Sequence, residues 1–103
     1  MSTAAIHQAG EKTMSVEIEI SSIFGRYTDN NLNIQVEGKT VRECLQNLVR
    51  QYPDLKKILL DKDDNLFHSY DLYINGESAY PREMTKPIKD GDKLNVVFII
   101  HGG

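Results

Sequence analysis

Residues 40–55 read TVRECLQNLVRQYPDL and contain the clearest helix pattern in the sequence. Their apolar side chains recur at intervals of three and four residues, which places them on one face of an α-helix. They are Val41, Cys44, Leu45, Leu48, Val49 and Tyr52. Thr40 is suited to cap the helix and Glu43, three residues later, completes a capping box. Pro53 ends the helix, and we expect a short helical turn to begin at Asp54.

Alternating apolar and polar side chains on both sides of this helix predict strands. Residues 16–20 and 32–36 alternate with the period of half-buried strands. The polar segment between them predicts a hairpin with a long loop. Behind the helix, residues 70–74 alternate in the same way and predict a third strand.

The remaining sequence predicts turns and one last strand. Asn75-Gly76 and Asp90-Gly91 are tight-turn signals, because these residues accept a positive φ. Residues 77–88 contain two prolines and predict an irregular segment. Residues 93–100 predict a final strand, which is apolar on both faces from residue 96 onwards. A strand of that kind is usually central in its sheet.

The order of these elements predicts an α+β fold: a four- to five-stranded mixed sheet with one main helix packed across one face. The ubiquitin-like β-grasp fold satisfies this order. In it the first and last strands lie side by side and parallel, and the helix lies within the long crossover that such a pair requires. We expect residues 1–13 to be a disordered leader, residues 14–100 the β-grasp domain and residues 101–103 a flexible tail.

Composition restricts the function classes. The chain has 103 residues, a net charge of −3 and a pI near 5.5, which argues against binding to nucleic acid. No apolar run approaches the roughly 20 residues that span a bilayer, so we expect no membrane insertion. Cys44 is the only cysteine, so no intrachain disulfide can form. A reducing, cytoplasmic location fits this composition.

The candidate site is the end of the sequence, His101-Gly102-Gly103. A rigid central strand would hold these residues out from the domain. Glycine has no Cβ, so Gly102 and Gly103 can enter a narrow channel in a partner and expose the terminal carbonyl to a nucleophile. His101 lies next to this end and is a secondary candidate for proton transfer.

Four segments together resemble the MoaD/ThiS sulfur carriers, the small subunit of molybdopterin synthase and the thiamine sulfur carrier. They are TVRECLQNLVRQYPDL, LYINGE, PIKDGDKLNVVF and the final GG. The resemblance covers residues 14–103. The segment before the glycines, residues 98–101, departs from the molybdopterin type, which commonly has prolines and a small residue there.

The resemblance implies a mechanism. A ubiquitin-activating-like adenylyltransferase uses ATP to adenylate the Gly103 carboxylate, and a sulfur nucleophile displaces AMP to leave a thiocarboxylate. A synthase subunit then accepts the sulfur, while His101 and Gly102 occupy the partner's channel. The chain itself is then a carrier that is not an enzyme and binds neither cofactor nor metal, and it is a candidate small subunit of a sulfur-transferring synthase. The acceptor stays open among the molybdopterin precursor, thiazole, an amino acid or another metabolite.

A second function class shares the fold and the activation step: a ubiquitin-like modifier joined through Gly103 to lysines of other proteins. A third class, an enzyme in its own right, lacks a residue constellation in this sequence, which has no phosphate-binding loop and no nucleophile motif. Resemblance of the whole domain to the carriers favours the first class.

The other chemically suggestive residues favour structural interpretations. The DKDDN segment at 61–65 imitates the start of a calcium loop but has leucine at the sixth and twelfth positions. Cys44 lies on the apolar helix face, where cysteine acts as a small hydrophobe. His7 and His68 show no metal-ligand spacing. Three tyrosines are expected to pack the sheet rather than form a binding platform: Tyr70, Tyr73 and Tyr80.

Overall fold

The computed structural model describes residues 15–99. The predicted leader (residues 1–13) and the predicted tail (residues 101–103) therefore lie outside the described residues.

The described chain forms one five-stranded mixed sheet with a main helix. The strands are β1 Val16–Ile20, β2 Asn33–Val36, β3 Tyr70–Ile74, β4 Glu77–Ser78 and β5 Lys93–Phe98. The helices are α1 Val41–Gln51 and α2 Lys56–Leu59, with 3₁₀ turns at Ser22–Tyr27, Pro53–Leu55 and Glu83–Thr85. The strand order is β2-β1-β5-β3-β4; β1 and β5 are parallel, and the other pairs are antiparallel. The predicted β-grasp fold and the central position of the last strand are confirmed.

Helix α1 begins as its sequence predicts, with one difference in the cap. The Thr40 hydroxyl accepts a hydrogen bond from the Glu43 N–H at 3.2 Å. The Glu43 carboxylate accepts from the Lys39 N–H at 2.8 Å, one residue before the position that a capping box would use. The first bond satisfies an N–H of the first helical turn, and the second holds the residue before the cap, so the predicted pair of bonds forms with one partner shifted by one residue.

The core lies between α1 and the inner face of the sheet. Four of the six predicted helix positions are buried, namely Val41, Cys44, Leu45 and Leu48, while Val49 and Tyr52 lie half-buried at its border. The strands contribute alternate side chains: Val16, Ile18, Ile20, Ile34, Val36, Leu72, Leu94 and Val96. Burial of one such side chain stabilises the fold by about 1.5–3 kcal/mol, so this layer is the main source of stability.

Side chains of α1 cover the open edge of the sheet at β2. Asn47 donates to the Glu37 carbonyl at 2.7 Å, and Gln51 donates to the Gln35 carbonyl at 3.0 Å. In the antiparallel register with β1, these carbonyls point away from the sheet. Two main-chain acceptors on the edge strand are thus already bonded within the molecule.

Two predicted strand ends differ slightly from the structure. Strand β2 begins at Asn33 rather than Leu32, although the Leu32 carbonyl still accepts from Ile20 at 3.0 Å. Strand β5 ends at Phe98, and the predicted end at Ile100 lies outside the described residues. The predicted β1–β2 loop contains the 3₁₀ turn Ser22–Tyr27, because Phe24 within it is buried and draws the segment onto the core.

At the end of the sheet opposite to the tail, one carboxylate joins the two predicted turns. Asp92, only 8% exposed, accepts from the Lys89 N–H at 2.7 Å and from the Asn75 side-chain amide at 2.9 Å. The Asn75 side-chain oxygen accepts in turn from the Lys93 N–H at 2.9 Å. These bonds hold the pKa of Asp92 below its ordinary value, the bond from Lys89 contributing most.

Candidate functional site

The candidate site is the carboxyl end of β5, from which the chain continues to Gly103. Val96 lies between Ile20 of β1 and Leu72 of β3, and Phe98 pairs with Tyr70. One residue further, the Ile99 N–H donates to the Ser69 carbonyl at 2.7 Å. The backbone is therefore held by the sheet up to Ile99, four residues before Gly103.

An aromatic cluster supports this end of the strand from the inner face. The Tyr70 ring lies 5.4 Å from the Phe24 ring and 5.8 Å from the Phe98 ring, both tilted, which is a favourable arrangement for aromatic pairs. The Tyr70 hydroxyl donates to the Ile58 carbonyl at 2.6 Å. Burial raises the pKa of Tyr70, so its hydroxyl stays protonated and remains a donor at neutral pH.

The exposed large hydrophobic side chains of residues 15–99 all lie at this end of the sheet. They are Ile23, Tyr80, Val97 and Phe98, which are 52%, 72%, 42% and 41% exposed. Ile23 follows the end of β1, and Tyr80 lies beside the start of β3. The prediction that Tyr80 packs the sheet is wrong, because Ala79 is the residue that pairs with Leu72 and enters the core. Clustered exposed apolar groups commonly mark protein contacts.

The outer face of the sheet is more polar than the pattern at residues 96–100 indicated. Val97 is its exposed apolar side chain in β5, whereas Lys93 and Asn95 contact Glu19 of β1 at 2.9 and 3.0 Å. The hydrogen bond from Lys93, aided by that from Asn95, lowers the pKa of Glu19. The apolar part of the surface is therefore confined to the neighbourhood of the tail, and the rest of this face is polar.

A cleft of about 520 Å³ lies beside the last described residue. It separates the 61–69 segment from the 80–85 segment, and Ile99 forms part of its wall. His68, Tyr80 and Arg82 also line it. The predicted site residues His101, Gly102 and Gly103 lie outside the described residues, so their placement relative to this cleft stays a prediction.

Cys44 lies on the inner face of α1 and is fully buried. Burial raises the pKa of its thiol to about 11, so the thiolate that redox or nucleophilic chemistry requires is scarce at neutral pH. A Cβ on Gly38 would lie 2.7 Å from the Cys44 sulfur, which shows how closely the backbone packs against this side chain. Cys44 therefore acts as a core residue in the structure.

The acidic segment at 61–65 forms a loop that is stabilised by hydrogen bonds between its own residues. The Asp61 carboxylate accepts from the N–H groups of Asp63 and Asn65 at 2.8 and 3.0 Å. Arg42 donates to the Asn65 side chain at 3.1 Å.

Within residues 15–99 no group of three or more histidine, cysteine or acidic side chains is placed to hold a metal. Over the same span, no helix is long and apolar enough to cross a membrane.

Two features of the site were not predicted from the sequence. Phe24 lies in a segment that the polar residues around it marked as loop, and only its isolated large apolar side chain could have indicated a core contact. Ser69 contributes its main-chain carbonyl, which any residue at this position could supply, so the residue type does not indicate this role.

Comparison with solved structures shows the same fold in several proteins. A chain in the crystal structure of the Amycolatopsis orientalis BexX/CysO complex aligns with a TM-score of 0.76 and 25% identity, over 85% of this chain and 99% of that one. The small archaeal modifier protein 1 of Methanosarcina acetivorans aligns at 0.75 and 21%, over 90% and 100%. Mycobacterium tuberculosis CysO aligns at 0.75 and 20%, over 82% and 99%.

No curated protein matches the sequence significantly. The family model described as the ThiS family matches residues 23–103, which include the aromatic cluster, β5 and the terminal glycines. This match covers most of the chain and agrees with the β-grasp topology. The chain belongs to the ThiS family, whose members are small ubiquitin-like sulfur carriers.

Proposed function

We propose that this protein carries sulfur on the carboxylate of Gly103. An oxygen of that carboxylate attacks the α-phosphorus of ATP on an activating enzyme, and pyrophosphate leaves. A hydrosulfide-level nucleophile then attacks the acyl carbon, and AMP leaves with the bonding electron pair. The resulting thiocarboxylate attacks an electrophilic acceptor through sulfur, and hydrolysis of the acyl bond restores the carboxylate.

The proposal depends mainly on one observation: the end of the central strand β5 is held by pairing and hydrogen bonding up to Ile99. Pairing through Phe98 and the bond from Ile99 to Ser69 hold the backbone beside a small apolar surface up to the last described residue. The family match extends through Gly102 and Gly103. A partner that contacts the apolar surface would receive the terminal glycines at a defined distance. This arrangement supports a carrier whose catalytic side chains belong to its partners.

Activation of the carboxylate and transfer of the sulfur each require a partner enzyme, and we propose one for each step. An adenylyltransferase related to the ubiquitin-activating enzymes supplies ATP-dependent activation, and a separate synthase accepts sulfur. The similar chain from Amycolatopsis orientalis occurs in a complex with BexX, and we propose an analogous association for this carrier. The acceptor remains open among the molybdopterin precursor, thiazole and other metabolites. We place the cycle in the cytoplasm, where the single thiol Cys44 stays reduced.

Three tail variants test the proposal with the activating enzyme purified from the protein's own cells. Deletion of Gly103 misplaces the carboxylate, an added residue after Gly103 converts it into a peptide bond, and Gly102→Leu adds a side chain where a channel must admit the chain. We expect each variant to unfold like the wild type but to lose pyrophosphate exchange and thiocarboxylate mass. Normal sulfuration of the Gly103 deletion would refute the carrier mechanism.

A ubiquitin-like modifier is the second candidate, because the modifier protein of Methanosarcina acetivorans has the same fold. Fold alone does not separate the two functions. Intact-mass analysis of the protein from its own cells distinguishes them. Replacement of one oxygen by sulfur supports the carrier, whereas Gly-Gly remnants on lysines of other proteins support the modifier.

A further inference from the structure

Tyr70 lies where the last described residues of the chain pair with β3. This residue begins β3 and pairs with Phe98 of β5. Immediately before it, the Ser69 carbonyl accepts the hydrogen bond from Ile99 at 2.7 Å. Pairing of the last two described residues of the chain therefore depends on the position of the 69–70 backbone.

Tyr70 is itself held by three other parts of the molecule. Its hydroxyl donates to the Ile58 carbonyl in α2 at 2.6 Å, and its N–H donates to the Phe67 carbonyl at 3.1 Å. Its ring centre lies 5.4 Å from that of Phe24 and 5.8 Å from that of Phe98. The Phe98 ring is 41% exposed, and the Tyr70 ring is the aromatic group that it contacts within the described residues.

From this geometry we infer that Tyr70 is a positioning residue for sulfur loading: it fixes where the chain leaves the sheet and thereby the reach of the Gly103 carboxylate. The inference rests on the proposed function of that carboxylate. Four residues follow Ile99, and they span at most about 14 Å. If Phe98 and Ile99 were released, six residues would follow the last paired position and could span about 21 Å.

The longer segment would lower the rate of the reaction more than the affinity. Release of Phe98 would remove one of the four exposed apolar side chains at this end of the sheet and leave the other three in place, so KM should change less than kcat. The carboxylate would be at the reacting position in a smaller fraction of complexes, because two more residues must be ordered. We expect kcat for adenylation to fall at least roughly tenfold. Simple loss of stability behaves differently, because a smaller folded fraction raises the apparent KM and leaves kcat unchanged.

The test compares Tyr70→Leu and Tyr70→Phe with a control, Tyr52→Leu. Tyr52 is also half-buried, but its hydroxyl accepts from Asn31 in the β1–β2 connection. Amide hydrogen exchange of Ile99 and Val96 reports pairing of the strand end and of the strand centre. Steady-state adenylation of the full-length chain, with the activating enzyme and ATP, gives kcat and KM.

We expect Tyr70→Leu to speed exchange at Ile99 at least roughly tenfold, to leave Val96 protected, and to lower kcat by a larger factor than it raises KM. Tyr70→Phe keeps both ring contacts and should lie between this variant and the wild type, while Tyr52→Leu should leave kcat and Ile99 exchange unchanged. Wild-type Ile99 exchange or wild-type kcat in Tyr70→Leu would overturn the inference, as would a rise in KM alone.

If Tyr70→Leu does not fold, Tyr70→Phe decides by the same two readouts, and wild-type values for both would overturn the inference. Failure of the wild-type chain to be adenylated would instead refute the proposed function. The two failures are therefore distinguishable, because the inference is judged only against an active wild type.

Discussion

Removal of the Asp92 carboxylate should destabilise the fold without affecting the tail. Asp92 is almost fully buried and accepts two hydrogen bonds, from the Lys89 N–H and the Asn75 amide. A hydrogen bond to a charged group contributes about 1.5–3 kcal/mol. Because Lys89 and Asn75 are exposed and water can replace part of each bond, we take the lower end of that range. Asp92→Ala should then reduce the free energy of unfolding by about 3 kcal/mol.

Asp92→Asn should be intermediate. The asparagine side chain offers one acceptor oxygen to two donors, so one bond is kept in uncharged form and the other is lost. We expect a loss of about 1.5 kcal/mol or more. Asp63→Ala, which removes an exposed aspartate from the 61–65 segment, is the matched control and should change the free energy of unfolding by less than about 0.5 kcal/mol.

The difference between wild type and Asp92→Ala should depend on pH. The native pKa of Asp92 is depressed, so its stabilisation is fully present above the unfolded-state pKa and is lost as the pH falls through the native value. The gap should be largest at neutral pH and should narrow below about pH 4, the ordinary range of an aspartate. Urea unfolding followed by far-ultraviolet circular dichroism measures it. A gap below about 1 kcal/mol at neutral pH, or one that persists unchanged in acid, would show that the Asp92 carboxylate does not stabilise the fold in this way.

Three further predictions concern other parts of the chain. Cys44→Ala should lower the free energy of unfolding by about 1 kcal/mol and leave sulfur loading intact; normal stability with lost loading would contradict the core assignment of this residue. A chain starting at Met14 should show the thermal unfolding midpoint of the full chain, and a large decrease would mean that residues 1–13 stabilise the domain. Val97→Asp should weaken calorimetric binding to the activating enzyme without changing unfolding, whereas Gln35→Glu, on the edge strand of the same face, should bind normally.

The helix and the strand order could be predicted because local patterns agree with the tertiary structure. The apolar stripe of residues 41–52 matches the buried face of α1. Strand β5 is central as predicted, although Val97, the apolar side chain on its outer face, is exposed. Both predictions depend on spacing along the chain, which folding does not alter.

The tertiary roles of single polar residues could not be predicted in the same way. Asp92 and Asn75 each lie in a recognisable turn, but nothing in either turn shows that their side chains meet. Likewise, the sequence pattern led to the same prediction for Tyr70 and Tyr80, namely packing against the sheet. In the structure Tyr70 packs against the core, whereas Tyr80 is exposed. The chemistry at Gly103 was predicted through family resemblance, because glycine has no side chain whose properties could indicate it.

The covered edge at β2 has a consequence for how this protein can associate. An uncovered edge strand is a template on which a second chain can add a strand, and repeated addition produces fibrils. Here Asn47 and Gln51 already bond the outward carbonyls of Glu37 and Gln35, so an incoming strand would have to displace them. On the opposite edge, β4 has only two residues. Contact between two copies, even at high concentration, should therefore not lead to strand addition at either edge. Replacing both side chains, as in Asn47→Leu combined with Gln51→Leu, should make the protein prone to self-association.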